Sequence, residues 1–451
     1  MKSTVYIETF GCQMNVADTE RAAGRLRAAN YQLVDSPAEA DVVLFNTCSV
    51  REKAAQKVFR RIHEVRSGAP IGRRAPLIGV MGCVAQLEGE ALFDGAPKVD
   101  LVVGTRATDR LPQLIEEART SGGGIVDLDE RRANERWEVA SCDRRSPYVT
   151  YVPIIEGCNK FCSYCIVPFS RGREKSRPAR EILEELSALK RAGYSEVHLI
   201  GQNVNSYRPK VEDGLEGVRG ATAFSRLLRA AAATTGLPRI KFTTSFPRDF
   251  HEDIVRALEE HENLCNWVHL PVQSGSDRVL RLMRRGYKVA DYMQRVEWIK
   301  GARRNLSLTS DVIVGFPGET AEEFDMTMDL VEQCQYDGLY IFKYSKRSGT
   351  PAAKIPSEVS KTEMTGRFLR LEALQRTVQR KIYELYRGAV VSVLVEGLSA
   401  KSSSDWSGHT TCHKVVNFPS SGSDLAGKIV QVRVTAAKKN SLYGEQIIDW
   451  D

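Results

Sequence analysis

Two long stretches of this chain alternate short apolar runs with amphipathic segments, and that alternation limits the possible folds more than any other feature. In the first, ending near Arg119, the runs "VYIETF", "DVVLFNT", "LIGVMG" and "VDLVVGT" are continuously apolar. Strands buried on both faces of a parallel sheet have this character. The segments "ADTERAAGRLRAAN", "REKAAQKVFRRIHEVR" and "RLPQLIEEAR" between or after them carry apolar residues at helical spacing. The fold class is therefore α/β, and residues 1–120 are expected to form an open parallel sheet.

"SGGG" at Ser121 to Gly124 and the polar residues after it read as a linker over 121–146. A second alternating series then begins with "YVTYVPIIEGC" and continues through "EVHLIGQN", "RIKFTTS", "WVHLPVQS", "LSLTSDVIVGFP" and "DGLYIFKYS", with helix-like segments between them. Six such units suit a partial (β/α)6 barrel over 147–380, short of the eight units of the closed form and open on one side to a large substrate. "EMTGRFLRLEALQRTVQRKIYELYRG" should carry the chain out of this barrel as a helix. After Gly388, "AVVSVLVEG", "TCHKVVNF", "KIVQVRVTAA" and "SLYGEQIIDW" read as short strands, so residues 381–451 are expected to form a small β-barrel.

Of the 451 residues, 42% are hydrophobic and 27% charged, the balance of a folded globular chain. No apolar run reaches the roughly 20 residues of a membrane helix, and "MKSTVYIETFGC" lacks the apolar stretch of a signal peptide. A cytoplasmic protein with no membrane association is expected. Ten cysteines in such a chain point to metal binding or catalysis rather than disulfides. The formal charge of +7 is compatible with a polyanionic partner.

Three of those cysteines, Cys158, Cys162 and Cys165, are packed into "EGCNKFCSYC" at the carboxyl end of the first barrel strand, where such barrels place chemistry. Closed iron–sulfur and structural zinc sites use four protein ligands, so three leave a coordination position open. A three-cysteine zinc site completed by water or histidine is the alternative. Three further cysteines, Cys12, Cys48 and Cys83, each follow an apolar run and lie 36 and 35 residues apart. One strand, crossover helix and return has that length, which puts all three at one edge of a parallel sheet. Helix N-termini there lower thiol pKa values, favouring a second three-thiolate site. Cys142, Cys265, Cys334 and Cys412 lack such a setting and read as ordinary thiols.

C-x-x-x-C-x-x-C after the first strand of a partial barrel resembles the radical S-adenosylmethionine (SAM) superfamily. With the three-cysteine domain before it and the small β-barrel after it, nearly the whole chain is similar to the methylthiotransferases. "TFGCQMNVADTE", "NTCSVREKAAQKV", "CSYCIVPFSRGREKSRP", "LIGQNVNSY" and "HLPVQSGSDRVLRLMRRGY" resemble the branch acting on isopentenyladenosine beside the tRNA anticodon. The resemblance implies two [4Fe-4S] clusters, on Cys12, Cys48 and Cys83 and on Cys158, Cys162 and Cys165. It also implies two SAM molecules per turnover, with a methylthio group replacing hydrogen at carbon 2 of the base. SAM contacts would fall on Tyr164, Gln202, Asn203, Gln273, Ser274 and Gly315, with Phe161 also beside the cluster. RNA contacts would fall on Arg171, Arg173, Ser245, Arg248, Lys414 and Asn417, the first two within a run of exposed cations. The last domain resembles a TRAM RNA-binding module. A flavodoxin- or ferredoxin-type electron donor, a tRNA anticodon stem-loop as partner and a monomeric enzyme are implied as well. The branch commonly has Arg, Asn and His where this chain has His409, His413 and Phe246. Sister enzymes acting on threonylcarbamoyladenosine or on a ribosomal-protein aspartate, and a noncatalytic iron–sulfur RNA-binding protein, are the competing assignments.

Overall fold

The computed structural model describes residues 2–49, 52–68, 75–95, 99–128, 144, 146–357, 359–420 and 424–447, without side chains for 52–56. Cys142 and most of the expected linker lie outside the described residues. The chain divides into two compact units. The first holds Met1–Arg145, Glu156–Phe161 and Cys165–Lys175, and the second holds Ser146–Ile155, Cys162–Tyr164 and Ser176–Asp451.

In the first unit, β1 (Thr4–Thr9), β2 (Gln32–Leu33), β3 (Val42–Thr47), β4 (Leu77–Gly82), β5 (Leu101–Val103) and β6 (Ile125–Asp127) form one parallel sheet in the order β2-β1-β3-β4-β5-β6. Every residue of β3 is buried, as its unbroken apolar run requires. Helices α1 (Gln13–Ala28), α2 (Glu52–Ser67), α3 (Cys83–Glu88), α4 (Ala91–Gly95) and α5 (Leu111–Ser121) connect the strands. Leu26 of α1 and Leu111 and Ile115 of α5 pack with Val5, Val42 and Leu44 in one core layer. Ile62 of α2 and Leu92 of α4 pack with Phe45 and Val80 in the other. The chain leaves β1 toward one edge of the sheet and returns on its other side as β3, a switch point of the kind that forms a ligand crevice. Ile125–Asp127, expected as linker, instead adds the edge strand β6. Asp127 is bound there by Arg110 across the end of the sheet.

Strand β7 (Val149–Pro153) begins the second unit. Short strands β8 (Ile155–Glu156) and β9 (Lys175–Ser176) and the five-residue helix α6 (Val167–Arg171) accompany the cysteine loop. Strands β10 (Glu196–Ile200) and β11 (Arg239–Phe242) join β7 in the parallel order β11-β10-β7. Strands β12 (Trp267–His269), β13 (Ser307–Val314) and β14 (Gly338–Lys343) form a second parallel ladder, and a single bridge, Ile240 to Leu264, stands between the two. Helices α7 (Ala179–Arg191), α8 (Ala223–Thr234), α9 (Glu252–Glu260), α10 (Asp277–Leu282), α11 (Val289–Lys300) and α12 (Ala321–Cys334) separate these strands, giving the expected six-unit partial barrel.

Helix α13 (Lys361–Glu384), capped by Ser360, leads to a closed five-stranded barrel of β15 (Val390–Ser399), β16 (Ser402–Thr410), β17 (Val415–Pro419), β18 (Ile429–Ala437) and β19 (Leu442–Gln446). Its interior is filled by Val393, Val395, Trp406, Phe418, Val432 and Leu442. Strand β16 was not among the expected segments, because "SSSDWSGHT" offers Trp406 as its one large apolar side chain. Pairing with β15 and β17, rather than hydrophobic alternation, makes it a strand. The small barrel sits on the amino-terminal ends of β10 to β14. Arg239 opens β11 and donates to the carbonyls of His409 and Ser392, at 3.0 and 2.9 Å. Lys414 binds Asp337, just before β14, at 2.5 Å.

Candidate active site

In the first unit the cysteines gather at the switch point. Cys12 is the residue before α1, Cys48 follows β3 and Cys83 opens α3 directly after β4. Two glycines permit the close approach: a Cβ on Gly11 would stand 2.8 Å from Cys48 Cβ, and one on Gly82 would stand 2.7 Å from Thr47 O. Asn15 and Asn46, both fully buried, lock the loops together. Asn15 Nδ2 donates to Asn46 Oδ1 at 3.1 Å and to Thr47 O at 3.0 Å, while Asn46 Nδ2 donates to Asn15 O at 2.8 Å. Asn15 Oδ1 also accepts from Cys12 Sγ at 3.4 Å. Sequence patterns did not single out either asparagine, although each lies within three residues of a candidate ligand.

Arg171 points into this cluster. It is 7% exposed, and its guanidinium binds Asp18 Oδ2 at 2.6 Å. Burial alone would weaken its charge, but Asp18 and the neighbouring Cys83 and Cys12 hold it firmly protonated. The Cys12 thiol is lowered to about 6 by its hydrogen bond with Cys48, against the cost of burial and with help from the Arg171 charge. The shift favours the ionised sulfur that a soft metal requires of its ligand. Arg171 was expected as an exposed RNA contact; the structure corrects that, since the cation is enclosed and neutralised by Asp18. Arg173, two residues on, is exposed as expected.

The loop bearing the second trio is held at several points. Within the first unit, Cys158 N donates to Gly172 O at 3.1 Å, and a Cβ on Gly157 (φ 75°) would meet that carbonyl at 2.6 Å. Within the second, Ser163 Oγ donates to Leu282 O at 2.7 Å, and Ser163 N to Met283 O at 3.0 Å. Cys158 and Cys162 are buried. Arg285 Nη1 lies 3.4 Å from Cys162 Sγ and 3.5 Å from the Tyr164 hydroxyl. The Arg285 guanidinium also donates to Pro271 O at 2.9 Å and sits 4.4 Å from the centre of the Phe246 ring. Phe161 is 53% exposed, and Tyr164 meets Phe316 edge-on at 6.4 Å.

Among the described residues, three carboxyl ends of the barrel strands present buried polar atoms with no hydrogen-bond partner: Gln202 Oε1 after β10, Ser245 Oγ after β11 and the Tyr344 hydroxyl after β14. Such orphans are costly unless a ligand satisfies them, so the mouth fits a polar cofactor. Thr244 (φ 73°) and Gln273 (φ 77°) hold left-handed backbone at the same end, the kind of strain that collects at ligand sites. Asn203, Gln273 and Ser274 are buried there. Gly315 N donates to Glu319 Oε2 at 2.8 Å, and the space a Cβ would need at Gly315 is filled by Met364 of α13, 2.7 Å away.

The remaining expected RNA contacts divide. The Arg248 side chain is 53% exposed and Asn417 half-buried. Lys414 is buried, paired with Asp337 and 4.9 Å from the Tyr386 ring, so it fastens the small barrel in place and offers no charge to solvent.

Residues 4–104 match uncharacterized protein family UPF0004, 152–331 the radical SAM superfamily and 384–447 the TRAM domain. Among solved structures, the radical SAM methyltransferase TsrM from Kitasatospora setae shares the fold with a TM-score of 0.54 and 15% identity, covering 87% of this chain and 77% of that one. The cobalamin-dependent SAM radical enzyme OxsB does so with a TM-score of 0.52 and 10% identity, covering 84% and 58%. Barrel, cysteine loop and superfamily match together define a radical SAM protein. The tRNA-2-methylthio-N(6)-dimethylallyladenosine synthases of Solibacter usitatus and Koribacter versatilis are 43% and 44% identical to it, each over 98% of this chain and 97% and 98% of theirs. The chain belongs to the tRNA-2-methylthio-N(6)-dimethylallyladenosine synthase family.

Proposed function

We propose that this protein transfers a methylthio group to carbon 2 of N(6)-dimethylallyladenosine, the isopentenyladenosine expected from sequence, beside the anticodon of tRNA. The observation that carries this reading is the end-to-end similarity to the named synthases, joined to the gathering of Cys12, Cys48 and Cys83 at the switch point of the first unit.

Carbon 2 of an adenine has no acidic proton for a side-chain base to remove, so the chemistry falls to cofactors. Cys158, Cys162 and Cys165 would hold a [4Fe-4S] cluster, which when bound would supply one-electron chemistry toward SAM. Cys12, Cys48 and Cys83 would hold a second. The protein's own part is to present ionised sulfurs, to satisfy SAM with polar atoms at the strand ends and to keep buried cations beside both thiolate sets. Gln202 supplies such an atom, as would Ser245, which the sequence resemblance instead gave to RNA, and Arg171 and Arg285 are the cations. Arg173 and Arg248, exposed, would meet RNA phosphates. No described helix is long and apolar enough to cross a membrane. We assign a flavodoxin- or ferredoxin-type donor and a monomeric enzyme to the same reading.

The test is anaerobic reconstitution with iron and sulfide, followed by reaction with methyl-labelled SAM and tRNA bearing N(6)-dimethylallyladenosine. Mass spectrometry should find labelled methylthio on that nucleoside. Label on threonylcarbamoyladenosine or a ribosomal protein instead would move the protein to a sister activity. No SAM cleavage under strong reduction would make it a noncatalytic binder.

A further inference from the structure

Away from the cysteine sites, at the amino-terminal end of the barrel strands, the hairpin between β16 and β17 brings two histidines against a buried carboxylate. Glu196, the first residue of β10, is fully buried. His409 Nε2 lies 3.0 Å from both of its oxygens, and the His413 ring is centred 4.7 Å from that of His409. One ligand atom from each of Glu196, His409 and His413 can be chosen so that all three lie within 4.8 Å of one another. The hairpin is built to keep them there. Thr410 N donates to Lys414 O at 3.0 Å, His413 N to Thr410 O at 2.9 Å, and His413 itself takes a left-handed φ of 62°. That conformation is uncommon for histidine and is held by its surroundings.

We propose that Glu196, His409 and His413 bind one divalent transition metal, zinc foremost, that joins the terminal barrel to the SAM barrel. Two imidazoles and one carboxylate suit zinc, nickel or copper and are a poor match for magnesium or calcium, which prefer all-oxygen sites. Three protein ligands leave a fourth tetrahedral position for water. His409 Nδ1 lies 3.3 Å from Glu396 Oε1, the outer carboxylate that metal-bound imidazoles usually carry, which would orient the ring and direct Nε2 inward. His198, two residues beyond Glu196 on the same strand face, bonds the Glu196 carboxylate and positions it. His409 spans Glu196 and Glu396 through its two ring nitrogens. The Nε2 lone pair forms the bond to the metal, and any proton on that nitrogen leaves to solvent. Arg239, 3.6 Å from Glu196, and Lys241, which lies over the Trp267 ring and interacts electrostatically with Glu196, compete for the carboxylate's charge. They make binding weaker than the donors alone would give.

The site's position implies a structural role, since it lies at the end of the strands opposite the cysteine loop. The test uses full-length reconstituted holoenzyme without a histidine tag, equilibrated with zinc and dialysed. Elemental analysis should give one zinc per chain beyond the iron, absent from His413→Asn and His409→Arg. The zinc absorption edge should report only nitrogen and oxygen neighbours. His413 is exposed, so its variant should fold and keep full iron content. Zinc retained in both variants, a sulfur shell around it, or none bound by the parent enzyme would each overturn the proposal.

Discussion

The two cysteine sites each contain a buried arginine, but the arginines are balanced differently. Arg171 has a carboxylate of its own, Asp18 at 2.6 Å, so its charge is met by protein before any thiol ionises. Arg285 has none among the described residues; its partners are a carbonyl, two phenols, an aromatic face and Cys162 Sγ. A buried cation without an anion costs several kcal/mol. The first cation is therefore neutralised by a carboxylate of its own, whereas the second has no carboxylate partner among the described residues.

The largest expected effect tests that contrast in metal-free protein. Arg171→Met strands the Asp18 carboxylate and should destabilise the first unit by about 3–5 kcal/mol in urea unfolding. Arg285→Met removes an unmatched charge and should leave stability unchanged or raised. Equal losses in both variants would erase the distinction. In reconstituted enzyme the order reverses, because Arg285→Met should lower methylthiolation about 10- to 100-fold, as loss of a group contacting a metal ligand commonly does. It should also make the barrel cluster harder to reduce, since the added electron loses a nearby cation; redox titration followed by electron paramagnetic resonance reads this separately from turnover.

Phe246 sharpens the comparison on a smaller scale. Its ring lies against the Arg285 guanidinium and meets Tyr287 edge-on at 6.0 Å. Phe246→Leu should cost about 0.5–2 kcal/mol, the range of a desolvated cation–π contact, measurable by thermal unfolding of the holoenzyme. Least visible in stability will be Arg173→Ala and Arg248→Ala. Each should reduce the salt-dependence slope of tRNA binding by about 1 while leaving unfolding untouched, if the exposed cations meet phosphate.

Much of this was legible beforehand where the signal was local. Apolar runs marked the four main strands of the first sheet and all six of the barrel, and the nearly equal spacing of Cys12, Cys48 and Cys83 anticipated their common edge. Charge was misleading wherever the partner was remote. Arg171 and Lys414 look like solvent-facing cations because Asp18 and Asp337 lie 153 and 77 positions away. Glu196 and His409, 213 positions apart, give no local sign of meeting. The polar strand β16 and the edge strand β6 went unmarked because pairing, not hydrophobic pattern, creates them. Phe246, His409 and His413, which depart from the branch's usual residues, each acquire a packing partner only in three dimensions.

The seating of the terminal barrel on the starting ends of the strands has a metric consequence. Strand β13 runs eight residues, about 26 Å, from the end nearest that barrel toward the mouth where Cys162 and Gln202 lie. The terminal barrel and the cysteine loop therefore stand at opposite ends of the same strands. A substrate that reaches both ends of these strands must span about that length.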